Sequence, residues 1–598
     1  MRIRSISAIL VIFLVVSANS YGGHLTIIYP RPNSYLPSVD STFIFGNTDP
    51  GSTLFINDQP IPVHESGGFL AFLDVSDGEF IFRLVSIIAG DTIMTQRMVT
   101  IGGADLKIDP DFTFINPGSV IPFQDIQLPS GEIIELGFNG TPHHFAFYCL
   151  PGDTTWFPLY ENPGQDIDSR EFANEPVLTD SVHLSHYRHY FRIGNAVDTL
   201  AGAIRYKICS IKGDSVLINS RGKISRLSDN VRVVEFTGNS QIVRTAPKAG
   251  YLLLYQPPGI RAVYDGFDGD FIRLELSETT TGFVPRDSVE ILPLGTEIPS
   301  SRVRTVFIEA KSDESIVRIP LSYKHPYRIE QELSPSRLTI YLYGVIGDAD
   351  WIKHIPSKSI IRAAEWAQPE NGVFRLTLEL SQGYQWGYEA GYSDTNFNLH
   401  IKKQPPFGGF LKSKVAGLRI VIDPGHCADP GAVGPTGLVE RDVNLWISHK
   451  LRKILEKNGA KVIQTRYGFE PISIYDRPKI ALDFDADILI SIHNNALPDG
   501  VNPFTHNGVS TYYYHPQSKP LADAIQNRML EKTGLPDYGV QYGNLALTRP
   551  SELLAVLVEC AFIMIPQQEA MLRDKRFQQK CAEGIYQGIC DFLDHAEK

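Results

Sequence analysis

The chain has 598 residues, of which 43% are hydrophobic and 20% charged, and carries a formal net charge of −12. That balance is too apolar for an intrinsically disordered chain and not apolar enough for a polytopic membrane protein. An acidic chain without a basic stripe speaks against a nucleic-acid partner, and the length suits about four domains.

The chain opens MRIRSISAILVIFLVVSANS. Arg2 and Arg4 precede an apolar run over 6–16, and Ala18 and Ser20 place small residues at −3 and −1 of a cleavage point. This is the signal-peptide pattern, over 1–20. The run falls short of the ~20 apolar residues a membrane span needs, and no later stretch approaches one. The expectation is an exported mature chain without a stable membrane span. None of the six cysteines (Cys149, Cys209, Cys427, Cys560, Cys581 and Cys590) sits in a CxxC, which disfavours a zinc knuckle or thioredoxin motif. Cys149 and Cys209 are a candidate pair within one domain, and the sequence leaves the pairing open.

From 24 to about 405 the chain reads as short alternating strands broken by Gly, Pro, Asn and Asp, as small all-β domains do. From 418 onward strands alternate with amphipathic helices, which predicts an α/β domain. Residues 24–103, with STFIFGNTDPGSTLFINDQPIP and GEFIFRLVSI, resemble an immunoglobulin-like sandwich. Residues 104–229 are β-rich and match no family pattern. The adjacent His143 and His144 would point to opposite faces of a strand, so a shared metal is disfavoured. Residues 230–294 resemble a bacterial SH3-like barrel, on Gly269-Asp270-Phe271-Ile272-Arg273-Leu274 and Thr281-Gly282-Phe283-Val284-Pro285. Residues 302–403 resemble an AMIN-like sandwich, on Tyr327-Arg328-Ile329-Glu330, Arg337-Leu338-Thr339-Ile340-Tyr341-Leu342 and Phe374-Arg375-Leu376-Thr377-Leu378. The last resemblance implies a module that holds an enzyme on peptidoglycan or at an envelope site. Gln404-Pro405-Pro406-Phe407-Gly408-Gly409 reads as a linker over 404–417.

The chemistry concentrates in 418–595. The β-branched run Leu418-Arg419-Ile420-Val421-Ile422 suits a buried parallel strand and ends at Asp423-Pro424-Gly425-His426. In open α/β sheets ligands bind at that carboxyl edge. A loop with Gly431, Gly434 and Gly437 leads to Glu440, and the apolar spacing then predicts a helix over 444–458 stopped by Gly459. Residues 461–466 form the next strand and 473–483 a helix. Asp487-Ile488-Leu489-Ile490-Ser491-Ile492 is another buried strand, ending at His493. Ala555-Val556-Leu557-Val558 runs into Glu559. Each residue alone has a structural explanation: DPGH as a tight turn, Glu440 as a cap or surface charge. Glu559 in an apolar run is harder to excuse, since a carboxylate there needs a partner or a function. Together they form the inventory of a hydrolytic zinc site. Such a site takes three His or carboxylate ligands, leaves an open position for water, and uses a further carboxylate to move the proton.

Residues 418–593 resemble the catalytic domain of zinc-dependent N-acetylmuramoyl-L-alanine amidases of the AmiA/AmiC type, the amidase_3 family. The matching stretches include IVIDPGH, GAVGPTGLVERDVNL, ADILISIHNNA and LLAVLVECAF. The resemblance implies a twisted sheet flanked by helices and hydrolysis of the amide between N-acetylmuramic acid and L-alanine of peptidoglycan. It implies Zn2+ held by His426, Glu440 and His493, with Glu559 as catalytic acid/base. Cys427 and Ala428 replace the usual Gly-Gly after DPGH, and Cys560 follows the base. Asp423 and Asn494 are candidates for orienting the His ligands. Residues 496–508 are too rich in turns to hold the inhibitory helix of some relatives. Tyr512, Tyr513 and Tyr514 read as sheet packing. The whole implies a cell-wall hydrolase, exported to what the AMIN-like module suggests is a Gram-negative periplasm, with peptidoglycan and an envelope activator as partners. The competing readings are a zinc hydrolase of another muropeptide amide and a non-catalytic wall-binding scaffold.

Overall fold

A computed structural model of the chain describes residues 23–102, 112–162, 184–194, 201–354, 359–408 and 413–596. The expected signal segment, 1–20, and part of the expected linker, 409–412, lie outside them. The fold is mostly β, with an α/β domain at the C-terminal side. No helix among the described residues is long and apolar enough to cross a membrane.

The first unit, between Leu25 and Ile101, has a three-stranded and a five-stranded sheet. Its core is the inward alternation of Ile44, Leu54, Phe69, Phe82, Leu84 and Val99. A twelve-stranded sheet follows. It crosses the expected boundary at 229/230 without a break. The short strand Ile126–Leu128 pairs with Ser215–Arg226 on one side and with Arg261–Asp268 on the other. The segment 301–402 builds a five-stranded and a four-stranded sheet. Its core is continuous with that of 234–291, since Val234, Tyr264 and Ile272 cluster with Val306, Leu338 and Leu399. Cys149 and Cys209 do not pair: in the register Cys149 lies opposite Arg205 and Cys209 opposite Phe145, at opposite ends of a five-residue ladder.

The α/β domain has six strands: β1 (Arg419–Pro424), β2 (Lys461–Gln464), β3 (Ile488–Asn495), β4 (Val509–Tyr513), β5 (Asp537–Tyr542) and β6 (Leu554–Phe562). Their order is β2-β1-β3-β6-β4-β5. The first four in that order are parallel, and β4 runs antiparallel to β6. Helices α1 (Glu440–Lys457), α2 (Asp476–Asp483), α3 (Lys519–Thr533), α4 (Pro566–Arg573) and α5 (Lys575–Ala596) complete it. The central strands are apolar throughout because both faces are covered. Ile420, Ile422, Ile490 and Val556 pack under α1, α3 and α5. Val421, Leu489 and Ala555 point the other way, toward Ala481 of α2. Helix α1 begins at Glu440, four residues before the periodicity predicts, because Glu440, Arg441 and Asp442 hide the apolar spacing of its first turn. Gly459, at φ +87°, ends it.

The β units are packed on this domain. Phe43, Phe45 and Leu70 of the first sandwich share a core with Phe562, Met564 and Ile565, at and just beyond the end of β6. The Tyr29 and Thr42 hydroxyls donate to the two Asp499 carboxylate oxygens at 2.6 and 2.5 Å. Burial pushes the Asp499 carboxyl up, and those two hydroxyls pull it back. Asp499 belongs to the loop after β3, which contains turns and no helix over 496–508. The first sandwich therefore rests on a loop that leaves the carboxyl edge of the sheet.

Candidate metal centre

Three strands end at one edge of the sheet, and a candidate site residue stands near or just beyond the end of each. His426 follows β1, His493 lies near the end of β3 and Glu559 near the end of β6. In the β3–β6 register His493 lies opposite Glu559, so their side chains share a face. Glu440, the first residue of α1, is inserted between the two histidines. Its Oε2 lies 3.0 Å from His426 Nε2 and its Oε1 3.0 Å from His493 Nδ1. One donor atom from each of His426, Glu440 and His493 lies within 4.8 Å of the others, a group that could hold a metal ion.

The backbone is bent to allow this. His426 adopts φ +61°, a left-handed conformation that costs a non-glycine residue about 1–3 kcal/mol and persists only where the surroundings fix it. Two buried arginines fix it. Arg466 donates to the carbonyls of Pro424 (2.9 Å), Gly425 (2.8 Å) and Arg441 (2.8 Å). Arg477 donates to the carbonyls of Pro424 (2.9 Å) and His426 (2.8 Å) and pairs with Asp423 at 2.8 Å. Two glycines make room. A Cβ at Gly425 would run into the His493 ring, and one at Gly431 would meet Glu440 Oε2 and the His426 ring.

The sequence names Asp423 as a partner for a histidine, and the structure corrects this. Asp423 accepts from Thr465 Oγ1 (2.5 Å), Arg477 Nη1 (2.8 Å) and Ser491 Oγ (2.7 Å). It ties β1 to its neighbours and touches neither histidine. The group that orients His426 is Asp429, whose Oδ1 lies 2.5 Å from His426 Nδ1. Asn494 acts on the glutamate instead: its backbone N–H donates to Glu440 Oε1 at 3.2 Å. Glu569, fully buried, accepts the amides of Thr436 and Leu438 at 2.9–3.0 Å and so pins the glycine loop that leads into Glu440. Asp429 follows the DPGH turn by three residues, where it reads as an ordinary loop acid, and Glu569 lies in α4 outside every motif; spacing alone gives no signal for either.

Burial opposes ionisation of Glu440, but hydrogen bonds and charge from His426 and His493 outweigh it and hold its carboxyl well below the usual range. Burial lowers the pKa of His426; Glu440 and Asp429 together reverse that and leave it raised. Glu559 behaves in the opposite way. Burial first, then the Glu440 charge and Cys560, pushes its carboxyl well above the ordinary range, and no donor among the described residues reaches its buried Oε2. Cys427 lies outside the group. Its thiol donates to the Ile472 carbonyl (3.4 Å) and accepts from the Ile472 amide (3.5 Å). Cys560 points away from Glu559 into the core with Cys581.

A carboxylate behind a ligand histidine fixes its tautomer and raises its basicity, and removing one costs about 10–100-fold in metal affinity. Asp429→Ala is expected to weaken metal binding by that factor, measured by competition with a chromogenic chelator. Unchanged affinity would reduce Asp429 to a loop contact.

Residues 420–591 match the family model described as N-acetylmuramoyl-L-alanine amidase. Over 239 residues the chain is 30% identical to the probable cell wall amidase LytH of Staphylococcus epidermidis, covering 40% of this chain and 74% of that one. It is 35% identical over 187 residues to the N-acetylmuramoyl-L-alanine amidase LytC of Bacillus subtilis, covering 30% of this chain and 37% of that one. Among solved structures, the catalytic domain of CwlV from Bacillus (Paenibacillus) polymyxa is 34% identical, with 30% of this chain and 98% of that one covered and a TM-score of 0.28. The protein is thus an amide hydrolase of the cell-wall class. It belongs to the N-acetylmuramoyl-L-alanine amidase family.

Proposed function

We propose that this chain is an exported zinc amidase that cleaves the bond between N-acetylmuramic acid and L-alanine in peptidoglycan. His426, Glu440 and His493 would hold the zinc. Two imidazoles and one carboxylate are a donor set that catalytic zinc uses, with a position left for water. The observation that carries the reading is Glu559: a half-buried carboxylate whose Oε2 is buried and meets no donor among the described residues, opposite His493 in the sheet register. A buried orphan of that kind is destabilising unless function retains it.

When bound, zinc supplies Lewis acidity, which lowers the pKa of water toward about 7 and polarises a carbonyl. Glu559 takes the proton of the attacking water at Oε2. It passes that proton to the alanine nitrogen as the C–N bond breaks, which leaves a lactyl carboxylate and a peptide amine. Asp429 holds the His426 ring, while Arg466 and Arg477 hold the backbone that presents it.

The segments 24–103, 104–229, 230–294 and 302–403 would position the enzyme on the wall, as immunoglobulin-like, β-rich, SH3-like and AMIN-like modules. The signal pattern at 1–20 and the AMIN-like likeness support export to a periplasm, where an envelope activator is a candidate partner. Incubation of the full zinc-loaded chain with intact peptidoglycan tests the reading. Peptides beginning with a free L-alanine amine should appear by mass, disappear with a chelator and return with added zinc. Peptides cut at any other bond would replace this proposal with another muropeptide amide.

A further inference from the structure

A second cleft, of about 590 Å³, lies where three parts of the chain meet. Tyr251 and Tyr255 line it from the segment 230–294, Tyr327 and Tyr388 from 301–402, and Tyr514 and Tyr542 from the α/β domain. The Tyr514 and Tyr542 rings lie 5.4 Å apart, and Tyr542 is 66% exposed at the rim. Deeper in, the Tyr327 hydroxyl donates to the Ala390 and Tyr255 carbonyls at 2.9 and 3.2 Å, and the Tyr255 hydroxyl donates to the Arg549 carbonyl at 3.3 Å. With those phenols engaged, the rings themselves are the wall.

Glu552 stands in this aromatic lining. Its Oε2 is buried and meets no donor among the described residues. Burial, with the Glu389 charge adding to it, raises the Glu552 carboxyl despite bonds from its own amide and from Ser551. A carboxylate with one buried oxygen left unpartnered repels anions and penalises apolar ligands. An ammonium answers it twice, by a charge-assisted hydrogen bond and by attraction to tyrosine faces other than that of Tyr251, which Arg244 and Arg549 already cover.

The site is separate from the metal centre. Glu552 lies two residues before β6 and Glu559 near its far end; the five strand steps from Leu554 to Glu559 alone span about 17 Å. We propose that this cleft is a peptide-binding site that takes the ammonium of a cell-wall peptide against Glu552, while the tyrosine rings pack on the carbon chain that bears it. The choice of a wall peptide rests on the function proposed above; the choice of an ammonium does not. Two ammonium groups qualify: the α-amine that hydrolysis frees on L-alanine, and the side-chain amine of a diamino acid in the same peptide. Either would keep the enzyme on wall it is already processing.

Calorimetric titration of the full zinc-loaded chain with a soluble wall peptide carrying both amines tests this, alongside the same peptide acetylated at one amine or the other. Binding is expected to weaken at least tenfold in Glu552→Gln and in Tyr542→Ala. The acetylated form that loses binding identifies the ammonium taken. Glutamine keeps the shape of Glu552 and Tyr542 is an exposed rim residue, so thermal midpoints measured alongside should stay near wild type. Unchanged affinity in Glu552→Gln, or binding that survives acetylation of both amines, overturns the assignment. So does absence of binding in a preparation that hydrolyses wall in parallel. A preparation that binds the peptide through Glu552 yet leaves wall intact keeps the cleft and removes the amidase reading instead.

Discussion

Glu559→Gln is expected to slow peptidoglycan hydrolysis by about 10²–10⁴-fold, the range for loss of a general acid–base group, with zinc content unchanged. Glutamine fills the same volume and cannot take a proton. The substitution should leave the fold intact, because Glu559 Oε2 has no partner among the described residues to lose and burial already disfavours its charge. Glu440→Gln gives the contrast. Its carboxylate is shared by His426 and His493, so activity and zinc should be lost together. Released peptide amine and bound zinc, measured on the same preparations, separate the two roles. A Glu559→Gln protein that retains most of its activity would return the proton-transfer role to another group. One that loses zinc would make Glu559 part of the metal site.

The strand ends were legible because burial on both faces makes parallel strands read as unbroken apolar runs, and a His or Glu closing such a run stands out. His426, His493 and Glu559 all carry that signal. Glu440 is visible only through the glycines before it, and its place as the first residue of α1 is masked by Arg441 and Asp442. The groups that hold the centre together carry no such mark. Arg466 and Arg477 act on backbone carbonyls of a loop some 40 to 50 residues earlier, and Glu569 acts on amides 131 and 133 residues away. Local pattern cannot register contacts of that kind. The same limit explains the β half. Alternation identifies strands but not their partners, so nothing at 126–128 foretells that this strand joins two expected modules into one sheet. The tyrosines at 512–514 read as packing residues by spacing alone. Only the fold brings Tyr514 to Tyr542 and to the rings of two other segments.

Acid should loosen this assembly before it reaches ordinary carboxylate titration, because two buried histidines sit at its joints. His325 in the segment 301–402 has its pKa lowered to about 4 by burial, which a backbone bond from Tyr343 only partly offsets. Its Nε2 pairs with Ser301 Oγ at 2.7 Å. His515, between β4 and α3, is also lowered to about 4, by burial and then by the Arg549 charge, against a hydrogen bond with the Arg549 carbonyl. The Tyr388 and Tyr514 rings flank it at 6.0 and 5.0 Å. Both folded values lie below the ordinary 6.5, so the unfolded chain binds protons first as pH falls. The stability held by the neutral rings is therefore complete above about pH 6.5 and is lost as pH falls toward 4, by about 3 kcal/mol for each histidine. Next to His515, Gln331 and Gln517 join the segment 301–402 to the α/β domain by hydrogen bonds of 2.9 and 3.1 Å, so charging His515 acts on that joint and on the tyrosine cleft beside it. Unfolding of the wild type and of His325→Gln and His515→Gln, followed from pH 7.5 to 4, should show the wild type losing stability more steeply than either variant. The gap at pH 7.5, where the neutral imidazoles pack best, should shrink through the window between 6.5 and 4. A gap that stays constant across that window would mean that neither ring resists protonation in the folded chain, and the acid sensitivity would then belong to the carboxylates alone.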